Sequence, residues 1–180
     1  MTQLTILTGA SRGMGLAMAE QLCTPHHTLL CISRGSSGAL TTLAHKNGTT
    51  LIQWQADLAQ PEAVADKLKA WLQTLQGQTF SQASLINNAG VIGHLGPIEQ
   101  ATASSVQQAL AINLAAPMLL TQVFLQATRA WPAKRKVLQI SSGLGRRAMA
   151  ASAVYCATQA GLDHFSRSAA LDEALLANPA

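Results

Sequence analysis

Charge is scarce in this 180-residue chain: 11% of its residues are Asp, Glu, Lys or Arg, against 48% that are hydrophobic. That balance excludes a disordered tail and implies a globular chain with a large interior. Aromatic residues are scarcer still, at 4%, and Tyr155 is the single tyrosine. The three cysteines, Cys23, Cys31 and Cys156, have no metal-like spacing and form no disulfide framework. Cys23 and Cys31 sit among apolar neighbours and read as buried thiols, which fits a reducing cytoplasm. No cluster of His, Cys and carboxylates argues for a metal. There is no long basic run; Lys134-Arg135-Lys136 and Arg146-Arg147 are the densest spots behind a formal charge of +4. That charge reads as scattered solvated side chains or as a basic pocket for an anion, and nucleic acid is not an expected partner. Met1 leads directly into a strand pattern, with no signal peptide. The apolar stretch Ala109–Ala127 is interrupted by Asn113, Pro117 and Gln122, so it reads as a buried or interface helix rather than a membrane span. Linkers, internal repeats and low-complexity tracts are absent, and the length suggests one domain over residues 1–180.

What is present is an alternation of strand and helix patterns, which argues for an α/β fold with a parallel sheet. Strands are expected at Leu4–Leu7, Thr28–Ile32, Thr50–Gln55, Ala83–Ile86 and Lys136–Ile140. Helices are expected after Gly15, over Gly38–Lys46, from Pro61 to about Leu75, from about Ser104 to Trp131, and from about Ser152 to Ala177. Pro61 suits a helix start and Gly77 a helix stop. Pro117 predicts a kink near Asn113 in the long fourth helix.

The first strand runs into Thr8-Gly9-Ala10-Ser11-Arg12-Gly13-Met14-Gly15, and a helical pattern follows: Leu16, Ala19, Leu22 and Cys23 recur at spacings of three and four. A helix start has free backbone N–H groups and a partial positive charge, which suit a pyrophosphate. Gly9 and Gly13 permit a tight turn and a close backbone approach, and Gly15 lets the helix pack near the strand. Taken alone, three glycines in eight residues also fit an ordinary strand-to-helix turn.

Four further landmarks follow in order: Asp57-Leu58, Asn87-Asn88-Ala89-Gly90, Asn113, and Ser142 thirteen residues before Tyr155. With the glycine turn they resemble the short-chain dehydrogenase/reductase family, from about Thr2 to the end of the chain. The resemblance implies a Rossmann-like, doubly wound parallel sheet. It implies a nucleotide site built from Gly9, Ser11, Arg12, Gly13, Met14, Gly15, Arg34, Asp57, Leu58, Asn88, Ala89 and Gly90, with Asp57 and Leu58 bordering the adenine. Family members continue past their last helix here with two more strands, so the chain is expected to lack the last strands and to be C-terminally short. They also pair through the helices after the fourth and fifth strands, which implies a homo-oligomer, a dimer or tetramer, with no membrane partner. Leu95-Gly96-Pro97-Ile98-Glu99 and Ser141-Ser142-Gly143 are similar to the sepiapterin and benzil reductase branch, which implies a small or aromatic dicarbonyl substrate.

In dinucleotide folds an acid at the end of the second strand binds the ribose 2′-OH, whereas an Arg favours a 2′-phosphate. Here that strand ends at Ser33-Arg34 with no acid nearby, and Arg12 is a second guanidinium within reach. NADP(H) is therefore expected over NAD(H).

Hydride transfer to a carbonyl develops negative charge on oxygen, which needs a hydrogen-bond donor and then a proton. Tyr155 and Ser142 fit these roles, with Ser141 the competing serine; by resemblance, Asn113 holds a relay water. The chain departs from the family at one position: Tyr155-Cys156-Ala157-Thr158-Gln159 has Gln159 where a Lys is expected. By resemblance that Lys binds the nicotinamide ribose and eases ionisation of the tyrosine; Gln159 can hydrogen-bond but carries no charge. The expected activity is carbonyl reduction by an NADP(H)-dependent oxidoreductase. Gln159 leaves open a weak enzyme, or a catalytically inactive remnant that acts by nucleotide binding or assembly.

Overall fold

The computed structural model describes residues 2–176; Met1, the expected helix end at Ala177 and the last three residues lie outside them. Five parallel strands form one sheet in the order β3-β2-β1-β4-β5: β1 Thr2–Thr8, β2 His27–Ser33, β3 Thr50–Gln55, β4 Phe80–Asn87 and β5 Lys134–Gln139. The helices are α1 Gly13–Leu22, α2 Gly38–Asn47, α3 Pro61–Thr74, α4 Ala103–Leu110, α5 Ala116–Thr128 and α6 Ala153–Ala174. This is the expected Rossmann-like arrangement. The strand ends differ by a few residues because pairing continues past the apolar runs: β4 begins at Phe80, and β5 starts at Lys134, opposite Gln82.

Two layers of helices explain why the central strands read as continuous apolar runs. In β2, Leu30 and Ile32 face one way and join Leu4, Ile6, Ala83 and Leu85 beneath α3 and α5. Leu29 and Cys31 face the other way, with Leu7, and meet Ala19 of α1 and Leu40 and Ala44 of α2. Cys23 and Cys31 are indeed buried, and burial, with Cys23 adding to it, pushes the Cys31 thiol up to about 12.

The stretch Ala103–Thr128 is long and apolar enough to cross a bilayer by length and composition alone. Half of its most apolar window is buried, and Leu120, Val123 and Phe124 of α5 pack into the core beneath the sheet. The irregularity expected near Asn113 is a π-helical turn, Ala111–Ala115, in which the Ala116 N–H donates to the Ala111 carbonyl. Pro117 has no N–H to offer the Asn113 carbonyl, so the widened turn falls in the stretch where regular helical pairing is already broken.

Candidate active site

The chain leaves β1 towards β2 on one side, while β4 flanks β1 on the other, so the crevice between their carboxyl ends is the switch point where open α/β sheets bind ligands. The first turn and the Asn87–Gly90 segment meet there. Thr8 Oγ1 accepts from the backbone N–H groups of Asn88 (2.9 Å) and Ala89 (3.0 Å), and Asn88 Nδ2 donates back to the Thr8 carbonyl (3.0 Å). Gly9 has φ +73°, and a Cβ there would lie 2.9 Å from Ala89 Cα. A Cβ on Gly15 would lie 2.1 Å from the Gly9 carbonyl oxygen, so α1 rests directly on the turn that precedes it. Its N-cap, Arg12, is extended and makes no side-chain cap hydrogen bond, which leaves the first-turn N–H groups of α1 to an incoming anion.

Every residue expected at a nucleotide site lines one cleft of about 320 Å³ over these strand ends: Gly9, Ser11, Arg12, Gly13, Met14, Gly15, Arg34, Asp57, Leu58, Asn88, Ala89 and Gly90. Arg12 and Arg34 are both exposed at its rim. Asp57 is exposed and its Oδ1 accepts from the Ala59 N–H (3.0 Å), so its carboxylate shapes the turn after β3. Ser33, at the end of β2, was not singled out from sequence. Its hydroxyl is buried, has no hydrogen-bond partner among the described residues and lines the same cleft beside Arg34. Residues from five segments meeting on a groove with free helix-start N–H groups, two guanidiniums and a spare hydroxyl suit a phosphorylated dinucleotide.

A second cavity, of about 280 Å³, continues from the first and shares Met14, Asn88, Ala89, Gly90 and Val91 with it. Ser142, Tyr155, Asn113 and Gln159 all line it, as do Ser141 and Asn87. Ser142 follows β5, whose pairing is extended when Ile140 N–H donates to the Asn87 carbonyl (2.9 Å). Its Oγ accepts from the Leu144 N–H (3.2 Å) at the start of a 3-10 turn, Gly143–Gly145, which leaves the hydroxyl proton to donate elsewhere.

Tyr155 lies in the first turn of α6, and its carbonyl accepts from Thr158 Oγ1 (2.9 Å). Asn113 bridges two elements with its side-chain amide. Oδ1 accepts from the Val91 N–H (2.8 Å), and Nδ2 donates to the Val91 carbonyl (2.7 Å) and to Thr158 Oγ1 (3.2 Å). Its side chain therefore ties the loop after β4 to α6, a role that accounts for a buried Asn in an apolar helix. Gln159 is 4% exposed, and its Oε1 has no hydrogen-bond partner among the described residues. Asn87 is similar: 3% exposed, with Nδ2 donating to Thr121 Oγ1 (3.3 Å) and Oδ1 unpartnered among the described residues. No Lys, Arg or His lines this cavity among the described residues.

The charged residues that sequence reading left as solvated include one buried group. Arg135 is 2% exposed, and its Nη2 meets Glu173 Oε2 at 3.2 Å; Arg129 also pairs with Glu173. The signal was there in the strand period, since alternation in Lys134-Arg135-Lys136 turns only the middle side chain towards the helices. This cluster anchors the far end of α6, the helix whose first turn carries Tyr155.

Comparison with known proteins agrees with this fold. The short chain dehydrogenase family matches residues 3–175. A benzil reductase, (S)-benzoin forming, from Bacillus cereus is 34% identical over 168 residues, covering 93% of this chain and 68% of the relative. The chain thus spans about two thirds of that relative's length. A solved short-chain dehydrogenase/reductase from Burkholderia vietnamiensis is 38% identical with a TM-score of 0.84, covering 96% of this chain and 80% of that one. A metagenomic short-chain oxidoreductase solved in complex with NADP is 29% identical with a TM-score of 0.82, covering 94% and 75%. The chain belongs to the short-chain dehydrogenase family of oxidoreductases.

Proposed function

We propose that this chain is an NADP(H)-dependent carbonyl reductase acting on a small or aromatic dicarbonyl. The observation that carries the reading is that Ser142 and Tyr155 line a cavity continuous with the glycine-turn cleft. Arg12 and Arg34 at the rim, no acid at the end of β2, and the spare Ser33 hydroxyl favour a 2′-phosphate. The NADP complex of the metagenomic relative and the benzil reductase relative support the cofactor and the substrate class.

When bound, the reduced nicotinamide supplies the hydride. The chain's own residues do the rest. The Ser142 hydroxyl donates a hydrogen bond to the substrate oxygen, where negative charge develops. The Tyr155 phenol gives that oxygen its proton and recovers one from solvent. The Gln159 amide oxygen accepts a hydrogen bond from a hydroxyl in the cavity, which fits its burial without a partner among the described residues.

Pairing of copies is part of the same proposal. Leu110, Met118 and Leu171 are exposed on α4, α5 and α6, the helices after the fourth and fifth strands. Three free thiols suit a reducing cytoplasm. A second reading, a nucleotide-binding remnant without turnover, is favoured by the lack of a cation in the Tyr155 cavity.

A fluorescence titration with NADPH and NADH, followed by an NADPH-consumption assay on benzil, tests the proposal. NADPH is expected to bind more tightly than NADH, with turnover lost in Tyr155→Phe. NADPH binding without turnover would establish the remnant, and NADH preference would overturn the cofactor assignment.

A further inference from the structure

We propose that Gly145 is a positioning residue: by lacking a side chain it lets the Ser142 turn seat against α6, and that seating sets the Ser142 hydroxyl relative to Tyr155. The proposal rests on reading Ser142 and Tyr155 as the reacting pair. Ser142 and Gly145 belong to one tight turn, since the Gly145 N–H donates to the Ser142 carbonyl (3.0 Å) and the Leu144 N–H to Ser142 Oγ (3.2 Å). Moving Gly145 therefore moves Ser142.

A Cβ on Gly145 would lie 2.8 Å from Asp163 Oδ2 and 3.0 Å from both the carbonyl carbon and oxygen of Gln159. The Asp163 carboxylate can swing aside. The Gln159 backbone cannot, because α6 is held elsewhere. Thr158 is bound to Asn113 at 3.2 Å, Gly161 would put a Cβ 3.3 Å from the Leu114 side chain, and Glu173 pairs with Arg129 and Arg135. Tyr155, Gln159 and Asp163 are spaced at i, i+4 and i+8, so they share one face of α6. The Ser142 turn is thus docked on the stripe that carries Tyr155, one helical turn away. Gly143 provides the contrast. It lies in the same turn, but its Cβ would meet nothing within 4 Å.

The test compares Gly145→Ala, Gly145→Val and Gly143→Ala by kcat and KM for benzil reduction and by NADPH affinity from fluorescence. Displacing the hydroxyl by a few tenths of an ångström to about 1 Å is expected to lower kcat about tenfold in Gly145→Ala and about 100-fold in Gly145→Val. NADPH affinity and the Gly143→Ala enzyme are expected to stay near wild type. In a Ser142→Ala background, Gly145→Ala is expected to cost nothing further, since the two act as a unit.

Equal losses in Gly143→Ala and Gly145→Ala, or a Gly145→Ala loss undiminished without Ser142, would overturn the proposal. If the wild-type chain binds NADPH and reduces nothing, the carbonyl reductase reading fails, and the docking is read by amide hydrogen exchange instead. Faster exchange at residues 143–147 in Gly145→Ala than in Gly143→Ala supports the seating; equal exchange in the two overturns it.

Discussion

Replacing Glu173 by Gln is expected to be among the most damaging isosteric changes in the chain, although Glu173 lies far along α6 from Tyr155. Its carboxylate is 9% exposed and serves two guanidiniums, with the Arg135 side chain wholly buried and the Arg129 side chain 37% exposed. Glu173→Gln keeps the shape and removes the balancing charge. Breaking a buried pair from one side costs about 3–5 kcal/mol, out of roughly 5–15 kcal/mol for a whole domain. At roughly 2–4 °C per kcal/mol for a chain of this size, Tm should fall by about 6–20 °C.

The two arginines should then separate. Arg129→Met touches the exposed half of the cluster and should cost about 1 kcal/mol or less, whereas Arg135→Met alone should approach the Glu173→Gln loss. The double variant Arg135→Met/Glu173→Leu should recover most of the stability, because an apolar pair of similar volume needs no desolvation.

Acid adds a second signature. The hydrogen bond from Arg129 and the charges of both arginines hold the Glu173 carboxyl below its ordinary value, against the opposing effect of burial. A depressed carboxylate contributes stability that is present above its unfolded value and lost as pH falls through its folded value. Glu173→Gln should flatten that part of the pH profile. Urea denaturation with an unchanged slope, repeated between neutral and acid pH, reads all of this. The reasoning fails if Glu173→Gln costs under about 1 kcal/mol, the range of exposed pairs, or if Arg129→Met costs as much.

Arg34→Ser should weaken NADPH binding about tenfold or more, as loss of a charge-assisted phosphate contact worth roughly 1.5–3 kcal/mol implies, and leave NADH affinity nearly unchanged in parallel titrations. Gln159→Lys places a cation in a cavity that has none and should raise the benzil reduction rate; a rate no higher than wild type would show that the missing charge is not what limits turnover. His27 is 5% exposed against Thr5 Oγ1 (2.9 Å), and burial lowers its pKa. The unfolded chain therefore binds the extra proton first, so stability should fall as pH drops below about 6.5. His27→Asn should remove that slope in thermal melts.

The parallel α/β architecture was legible because short apolar runs alternate with helical periods, and the cleft was legible because the glycine turn and the later landmarks resemble a known family. Ser33 escaped because a serine at a strand end has no periodicity to betray it; only the empty hydrogen-bonding capacity of its hydroxyl marks it. Arg135 escaped because a basic triplet was taken as a unit, although the strand period splits it into two exposed lysines and one buried arginine. The π-turn escaped in kind, though not in place: Pro117 signals that regular pairing must fail, but how the backbone absorbs the failure depends on what packs against it.

The same limit explains why the roles of Asn113 and Gly145 became visible only in three dimensions. Asn113 in sequence is a polar residue in an apolar helix, compatible with a held water or with a kink. Folded, its amide is committed to Val91 and Thr158, so the side chain joins the loop after β4 to the helix bearing Tyr155. Gly145 in sequence is one more glycine in a loop. Folded, it is where the Ser142 turn touches α6 backbone to backbone. Both contacts, and the Glu173 cluster at the other end, converge on α6. A reaction that needs a hydroxyl from one loop and a phenol from one helix depends on how firmly that helix is held. Hydrogen bonds and close approaches between segments distant in sequence do the holding, and no local pattern records them.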